Sequence, residues 1–382
     1  MNTLVTTSED KQDVQMLKNG LTGTNLENQH FAESYPRTDA GNAELFEDLH
    51  QDIVRYDYTS ESWSLFNGQY WQVDNKEQVI QLAKQSARMR QELCFSQPLN
   101  ALREAEFKYG IRSENKTMIN NALALAKTSD KIGVEQHAWN QNNTLLQFEN
   151  GVFDLDQQVF SPGKPEYMIR QSVGYTYIPN AECPIWEKAV LQIMDNDVEM
   201  VRYLQRIVGY SISGLTTEQC LFLLTGNGSN GKSVVLDMLL ALLGEYGANA
   251  PFSTFEKSRN SGNSNDLARL VDSRLVTSSE SSQSRRLDEE RVKAITGGDP
   301  VTARYLFMEY FTYIPKFKIW LAVNTLPEIR GTDNGIWRRL KVIPFNVNFQ
   351  GREDKTLSQK LRAELPGIMN WAIQGFSDWR EA

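Results

Sequence analysis

The sequence predicts an α/β fold with a parallel sheet in its second half. Between residues 218 and 349, short apolar strands alternate with helical or loop segments, a pattern typical of a parallel sheet covered by helices. Three segments stand out as strands, 219–225, 274–279 and 316–323, and the first and third of them contain the short apolar runs typical of buried strands. A glycine-rich loop follows the first of these strands, and an apolar helical stretch follows the loop, which completes a strand–loop–helix unit.

The loop itself, residues 226–233, reads GNGSNGKS and matches the pattern G-x-x-x-x-G-K-[ST] of phosphate-binding loops. Glycine permits positive φ angles and a close approach of the main chain to phosphate, and the N-terminus of the following helix attracts the anion. Lys232 is expected to reach the β- and γ-phosphates of a nucleoside triphosphate, and the hydroxyl of Ser233 to bind Mg²⁺. The candidate nucleotide-binding residues are Gly226, Asn227, Gly228, Ser229, Asn230, Gly231, Lys232 and Ser233.

Composition and charge narrow the classes of protein further. The 382 residues carry a net charge of −8, which argues against a protein that coats nucleic acid over its whole surface. Residues 1–60 carry four basic and eleven acidic side chains, whereas residues 285–345 carry eleven basic and seven acidic ones. The sequence has no apolar run long enough for a membrane span, no secretory signal pattern and only three scattered cysteines. We therefore expect a cytoplasmic protein, without membrane attachment, that touches a polyanion in one local basic zone.

The succession of polar and apolar stretches divides the chain into five segments. A polar stretch without sustained periodicity opens the chain and is expected to be a flexible tail. An α+β domain, a helical linker, the α/β core and a C-terminal helical region broken at Pro366 and Gly367 follow in that order. The expected bounds are 1–30 for the tail, 31–178 for the N-terminal α+β domain, 179–216 for the linker, 217–349 for the core and 350–382 for the C-terminal helices.

Within the N-terminal domain, apolar periodicity predicts helices, and two Asn-Gly pairs predict tight hairpins. The hairpins span 63–71, with Asn67 and Gly68 at the turn, and 145–155, with Asn150 and Gly151 at the turn. The predicted helices cover 43–56, 76–92, 101–109 and 117–126.

A phosphate loop works together with polar residues at the ends of neighbouring strands. The strand at 274–280 ends in Glu280, which is expected to polarise the attacking water as a general base. The residue before it is Ser279 rather than a second acid, so the expected protein ligands of the metal are Ser233 and Glu280. The next apolar strand ends in Asn324, whose amide can orient the water and sense the γ-phosphate.

Two further motifs complete the series. A Thr-Gly-Gly-Asp sequence begins at Thr296, and segments 301–307 and 311–314 after it can pair as a hairpin across residues 308–310. The adjacent residues Arg338 and Arg339 follow Asn324 by about fifteen positions in a Trp-Arg-Arg sequence.

The order of these motifs closely resembles that of superfamily 3 helicases, and within them the phage and plasmid primase–helicase family that includes the poxvirus primase–helicases. Segments 38–46, 148–155 and 364–375 extend the similarity on both sides of the core. The motifs that carry the resemblance are GNGSNGKS at 226–233, RLVTSSE at 274–280, VKAITGGDPVTAR at 292–304, KIWLAVNTLPEI at 318–329 and IWRRLKVIPF at 336–345.

The resemblance implies an AAA+ phosphate-loop core that assembles into a ring, usually a homo-hexamer, with ATP bound between subunits. It implies that the catalytic groups of one subunit are Lys232, Glu280 and Asn324, with ATP and Mg²⁺ as ligands. The neighbouring subunit would supply an arginine that stabilises charge on the transferred phosphoryl group. Arg338 and Arg339 both match that position, and Arg330 is a less favoured candidate.

The resemblance also implies that the hairpin after Thr296 projects into the channel of the ring. Lys293, Arg304 and Lys316 are the basic residues around it and are the candidate DNA contacts, with aromatic residues between them. The predicted tip, residues 308–310, carries no lysine or arginine, which weakens the expectation of phosphate contacts at the apex.

These observations together predict an ATP-dependent DNA helicase that acts in the replication of a phage, plasmid or other mobile element in the cytoplasm of a bacterial host. The expected partners are single-stranded and forked DNA, further copies of the chain, and a separate primase or primase–polymerase. One alternative is an ATP-switched initiator or loader that melts origin DNA without processive unwinding. A phosphate-loop kinase of small molecules is a third possibility, but it leaves the hairpin and the arginine pair without a role.

Overall fold

The computed structural model describes residues 35–96, 101–257, 264–279, 286–307, 309–330 and 334–382. The expected tail at 1–30 lies outside these residues. Within these residues the chain forms two compact units: the first extends to Trp139 without Gly68–Tyr70, and the second comprises Gly68–Tyr70 and Asn140–Ala382. No helix in the described part of the chain is both long and apolar enough to cross a membrane.

The first unit combines helices with a four-stranded sheet of order β3-β2-β1-β4. Strand β2 pairs antiparallel with both β1 and β3, and β4 pairs parallel with β1. Its elements are α1 (Asp39–His50), β1 (Val54–Asp57), β2 (Ser62–Phe66), β3 (Trp71–Val73), α2 (Gln78–Leu93), α3 (Ala101–Ser113), α4 (Lys116–Ala126) and β4 (Gly133–Val134).

The sequence predicted most of these elements correctly, including the hairpin β2–β3. The helix predicted over 43–56 was wrong in its last part, because the chain leaves α1 at His50 and begins strand β1 at Val54. Ile53 and Val54 continue the helical spacing of the preceding apolar residues, but Val54 and Tyr56 are buried in the core of this unit while their main chain pairs with β2. Strand pairing therefore outweighs the local periodicity.

The second unit contains a parallel sheet, a small antiparallel sheet and a two-stranded hairpin. Its elements are β5 (Leu145–Phe148), β6 (Gly151–Asp154), β7 (Val159–Ser161), α5 (Pro184–Ile193), α6 (Val198–Ile212), β8 (Leu221–Thr225), α7 (Lys232–Leu243), β9 (Gly247–Asn249), α8 (Ser264–Ala268), β10 (Leu275–Ser279), α9 (Glu289–Gly297), β11 (Val301–Ala303), β12 (Phe311–Tyr313), β13 (Lys318–Val323), α10 (Asn334–Trp337), β14 (Leu340–Pro344), α11 (Leu357–Ala363) and α12 (Leu365–Arg380).

The central sheet has the order β14-β8-β13-β10-β9, with every pair parallel. Alternate residues of β8 face opposite sides: Phe222 packs in one hydrophobic cluster with Trp320, and Leu221 packs in the other with Ile319. Both faces are thus buried, as expected for a parallel sheet covered by helices. The structure confirms the α/β class and the three predicted strands, and it adds β9 and β14 at the two sides of the sheet.

The boundary between the units differs from the one expected at 178. Strands β5 and β6, which the sequence assigned to the N-terminal domain, contribute Leu146, Phe148 and Phe153 to the hydrophobic cluster that covers one face of the central sheet. These buried side chains make the β5–β7 sheet part of the second unit, which begins at Asn140. The predicted hairpin is present, and its turn residues are Glu149 and Asn150 because Gly151 already belongs to β6.

Candidate functional site

The glycine loop at 226–233 connects β8 to α7 at the carboxyl edge of the central sheet. Two of its glycines are required both by backbone angle and by space. Gly226 has φ 151°, and a Cβ there would lie 2.3 Å from the carbonyl oxygen of Phe345. Gly231 has φ 90°, and a Cβ there would lie 2.8 Å from the side chain of Ile193. Larger residues at either position would force the loop out of this shape.

Lys232 begins α7 and is 93% buried, since its relative exposure is 7%. Its ammonium donates to the carbonyl oxygen of Gly226 across the loop. Burial lowers the pKa of Lys232 because the charged form loses hydration. A lysine with one neutral acceptor and little water is a cation that an incoming phosphate would stabilise strongly. Ser233, the next residue, is exposed and lines the same cavity.

The ends of two neighbouring strands complete this edge of the site. Strand β13 lies directly beside β8, with Val323 opposite Thr225, so Asn324 follows the strand next to the start of the loop. Strand β10 lies on the other side of β13 and ends at Ser279. Asn324 and Ser279 both line the cavity that contains the loop. Glu280, the predicted general base and metal ligand, lies outside the described residues, so both of its roles stay predictions.

The cavity has a volume of about 860 Å³, within the range of small-molecule sites. The structure brings Lys232, Ser233 and Asn324 together in it, as the sequence predicted. It also adds two walls that sequence reasoning missed. Helix α5 contributes Ile185, Lys188, Ala189, Gln192 and Ile193, and the segment after the sheet contributes Phe349, Arg352, Glu353, Asp354, Leu357 and Lys360. These residues carry no recognisable motif, because they converge only when the chain returns to the loop after β14.

Arg338 and Arg339, which the sequence left equivalent, have different environments. Arg339 is 7% exposed, and its guanidinium donates to Thr296 Oγ1 at 3.1 Å, to the Gly335 carbonyl at 2.6 Å and to Gln219 Oε1 at 3.4 Å. Arg338 is exposed, and its guanidinium donates to Gln219 Oε1 at 2.9 Å. Arg339 is therefore a buried residue that hydrogen-bonds neighbouring parts of the fold to one another, and Arg338 is the arginine at the surface.

Arg338 and the glycine loop lie at opposite ends of the parallel strands. Arg338 precedes β14, whose first residue, Leu340, pairs with Leu221 at the start of β8. The glycine loop begins where β8 ends, after Thr225. At about 3.3 Å per residue, the five residues of β8 separate the two edges by roughly 16 Å.

The three predicted DNA contacts occupy three different places. Arg304 is exposed on the loop of the β11–β12 hairpin, with its guanidinium carbon 4.7 Å from the ring centroid of Tyr310. Lys293 is half-buried on α9 and lines a separate cleft with Arg286. Lys316 donates to the carbonyl of Asn140 at 2.8 Å, and burial lowers its pKa. Of the three, only Arg304 lies on the hairpin that the sequence predicted to meet DNA.

The hairpin loop carries the most exposed aromatic groups of the described chain. Phe307 is 97% exposed and Tyr310 60% exposed, and Leu306 beside them is 68% exposed. Met308, at the predicted tip, lies outside the described residues. The two strands pair over Val301–Ala303 and Phe311–Tyr313, which confirms the predicted hairpin with shorter strands.

The oxygen donors of the cavity suit a hard divalent cation. Ser233 and Ser279 offer hydroxyl groups and Asn324 offers an amide oxygen. Mg²⁺ prefers such ligands and usually keeps several water molecules while sharing the phosphates of a nucleotide. Within the described ranges, no group of three or more His, Cys, Asp or Glu side chains is placed to hold a metal. The hydroxyl and amide oxygens of Ser233, Ser279 and Asn324 are ligands of the kind that Mg²⁺ accepts, and the binding of Mg²⁺ stays a prediction.

The fold and this site define an α/β protein with a glycine loop of the phosphate-binding type at the carboxyl edge of a parallel sheet. Comparison with known families adds two matches. Residues 43–195 match the family described as D5 N terminal like, and residues 224–339 match a family of unknown function, DUF5906. The second match contains the glycine loop, Asn324 and both arginines.

Curated viral proteins named as helicases or primases are also similar to parts of the chain. The chain is 34% identical over 250 residues to a putative helicase, L207/L206, of Acanthamoeba polyphaga mimivirus, covering 63% of the chain and 26% of the relative. It is 28% identical over 250 residues to putative helicase 184R of Invertebrate iridescent virus 6, covering 62% and 26%. It is 23% identical over 230 residues to primase D5 of Fowlpox virus, covering 56% and 29%.

These partial matches support the resemblance to the phage and poxvirus-like primase–helicases that the motifs carry. The matched region spans about a quarter of the length of these viral relatives. Among solved structures, the apo C-terminal region of NrS-1 (305–718) is similar with a TM-score of 0.48 and 14% identity, covering 89% of this chain and 74% of that one. Membership of superfamily 3 and a bacterial host stay predictions.

Proposed function

We propose that this chain is the motor part of an ATP-dependent DNA helicase of the AAA+ class that acts in replication of a virus or other mobile element. The observation that carries the proposal is the convergence of Lys232, Ser233 and Asn324 on one cavity of about 860 Å³. The sheet order supports the AAA+ class, because β13 lies between the loop strand and β10 and so places Asn324 between the loop and Ser279.

In this proposal the loop amides and Lys232 bind the phosphates of ATP. Lys232 exchanges the carbonyl of Gly226 for a phosphate oxygen, which satisfies its buried charge better than a neutral acceptor does. Asn324 orients the attacking water, and Glu280 is the proposed base that accepts its proton. Mg²⁺, held by Ser233, would neutralise phosphate charge when bound.

The position of Arg338 supports hydrolysis at subunit interfaces. Because it lies at the opposite edge of the sheet from its own loop, roughly 16 Å away along β8, its guanidinium would serve the nucleotide of a neighbouring subunit. A contact of one edge with the opposite edge of the next copy is heterologous and closes into a ring when the rotation allows. We propose a homo-hexameric ring on this basis.

The β11–β12 hairpin is the proposed contact with single-stranded DNA. Phe307 and Tyr310 offer exposed ring faces, and Arg304 lies over the ring of Tyr310. Stacking on such rings tolerates any base sequence, which suits a motor that moves along a strand. Forked DNA and a separate primase are the further partners that we propose.

The test compares wild type with Lys232→Ala in DNA-stimulated ATP hydrolysis and in strand displacement from a forked duplex. We expect the variant to lose both activities while its thermal unfolding midpoint stays within a few degrees of wild type. The control is Lys116→Ala, an exposed lysine of the first unit, which should change neither activity. Unwinding by Lys232→Ala at the wild-type rate would refute the proposal. Hydrolysis with protection of one fixed DNA site, and no displacement of forks, would favour the initiator or loader instead.

A further inference from the structure

One wall of the cavity is formed by the segment that follows β14, whose cavity-lining residues belong to none of the motifs recognised in the sequence. This segment is hydrogen-bonded to the loop region at three points. The Phe345 amide donates to the Thr225 carbonyl at 2.8 Å, and Asn230 Nδ2 donates to the Phe345 carbonyl at 3.1 Å. Further along, the Phe349 amide donates to the Ser229 carbonyl at 2.7 Å. These bonds fix the position of the segment relative to the loop that is proposed to hold the phosphates.

The charged side chains of this wall differ in how far they are neutralised. Lys360 Nζ lies 2.7 Å from Asp354 Oδ2, and this contact lowers the pKa of Asp354 to about 2. That pair is neutral overall. Arg352 Nη2 donates instead to the carbonyl oxygen of Asn348 at 2.6 Å, which is a neutral acceptor, so the guanidinium keeps its positive charge. Glu353 is the remaining carboxylate of the wall.

Arg352 is placed close to the loop by a tight turn. Its amide donates to the carbonyl of Phe349 at 2.8 Å, and the amide of Phe349 in turn bonds to Ser229 of the loop. Arg352 is exposed, and it lines the same cavity as Lys232 of the loop. A planar guanidinium can donate two parallel hydrogen bonds to a phosphate, which a lysine cannot do.

We propose that Arg352 binds the polyphosphate of the nucleotide held by its own subunit, as a second cation opposite Lys232. This inference rests on the proposed function, because it names a further group of the same site. It assigns the residue to the subunit that carries the loop, in contrast to Arg338, which serves the neighbour. Nucleotide binding then holds the 345–360 segment, and through it α11, against the loop.

The first experiment measures binding and hydrolysis in the full-length chain. Arg352→Ala should weaken binding of a non-hydrolysable ATP analogue by about tenfold to a hundredfold, the loss expected for a charge-assisted bond, with adenosine binding unchanged. Arg352→Lys should retain part of the affinity because it keeps the charge. The control is Lys355→Ala, an exposed lysine of the same segment outside the cavity lining, which should match wild type.

The second experiment mixes variants at an ATP concentration low enough that Arg352→Ala alone hydrolyses little ATP, and it tests which subunit Arg352 serves. Arg352→Ala mixed with Arg338→Ala should regain ATP hydrolysis, because some interfaces then combine an intact loop side with an intact arginine side. Arg352→Ala mixed with Lys232→Ala should regain none, because both changes damage the same side of the interface.

Several results would overturn the assignment of Arg352. Wild-type affinity and hydrolysis in Arg352→Ala would do so, and so would an equal loss of adenosine and ATP-analogue binding, which indicates a change of cavity shape. Recovery of hydrolysis on mixing with Lys232→Ala, but not with Arg338→Ala, would show that Arg352 acts on the nucleotide of the neighbouring subunit. Failure of the proposed function is distinguishable, since the wild-type chain itself would then hydrolyse no ATP with any DNA.

Discussion

Replacement of Arg338 by alanine tests how the proposed interface works, because the structure separates this residue from its own site. Arg338 is exposed before β14, and the loop lies at the other end of β8, roughly 16 Å away at about 3.3 Å per residue. The Arg338→Ala chain should therefore keep its own nucleotide affinity. It should lose hydrolysis by about a thousandfold or more, the effect of removing an arginine that completes a phosphoryl-transfer site in trans.

The ATP hydrolysis recovered by a mixture of two variants distinguishes an Arg338 that acts on the neighbouring subunit's nucleotide from one that acts on its own. In an equimolar mixture of Arg338→Ala with Lys232→Ala, an interface works only when the first supplies the loop and the second supplies the arginine. Random assembly gives about one such interface in four for a head-to-tail ring, so the mixture should recover up to about a quarter of wild-type hydrolysis. Coordination between neighbouring sites would lower that fraction.

The assay is phosphate release at saturating ATP and DNA, with mixed assembly verified by differently tagged chains. The control mixture contains Arg338→Ala and the double variant Lys232→Ala/Arg338→Ala, which cannot form an intact interface and should stay inactive. Absence of recovery in verified mixed rings would refute the placement of Arg338 in the neighbour's site. Near-wild-type hydrolysis by Arg338→Ala alone would refute its catalytic role.

Three other substitutions test single contacts. Arg339→Ala should lower the free energy of unfolding by about 2 to 4 kcal/mol, because it leaves buried acceptors unpaired. Urea unfolding measures this change, and the control Arg338→Ala should change the free energy of unfolding by less than about 0.5 kcal/mol. Phe307→Ala should weaken single-stranded DNA binding by about 1 to 3 kcal/mol per stacked base, measured by anisotropy. Burial lowers the pKa of His50 to about 4, whereas the unfolded state binds a proton at this residue below about pH 6.5. Between pH 7 and pH 4.5 the free energy of unfolding of wild type should therefore fall by about 2 to 3 kcal/mol, and that of His50→Gln should not show this fall.

Each of these three has an outcome that contradicts it. Equal unfolding midpoints for Arg338→Ala and Arg339→Ala would show that the buried hydrogen bonds add no stability. Unchanged DNA affinity in Phe307→Ala, with Ile178→Ala as the exposed apolar control, would remove the hairpin from the DNA contact. For His50, the control is the exposed His137→Gln, which should keep the wild-type pH dependence. An unchanged pH dependence in His50→Gln would show that another group binds the proton.

Local patterns anticipated the elements whose own residues decide their structure. Strands β8 and β13 are mainly apolar and are buried on both faces, so burial and local preference agree. The end of the first helix shows the opposite case, since the strand that Val54 begins is formed by pairing with β2 along its whole length and with β4 at Tyr56 and Asp57. Strand β9 has three residues with little apolar character, and its pairing with β10 is decided by the sheet.

The sequence by itself determined the loop, the lysine and the strand-end amide, because their spacing follows from backbone chemistry that phosphate binding requires wherever it occurs. Only the tertiary structure decided which arginine is free to act. Arg338 and Arg339 are adjacent and chemically identical, yet the fold buries one against Thr296 and leaves the other at the surface. The tertiary structure also decided that the segment carrying Arg352 lies beside the loop, where the Phe349 amide donates to the Ser229 carbonyl, since contacts over more than a hundred residues depend on the packed sheet rather than on any local pattern.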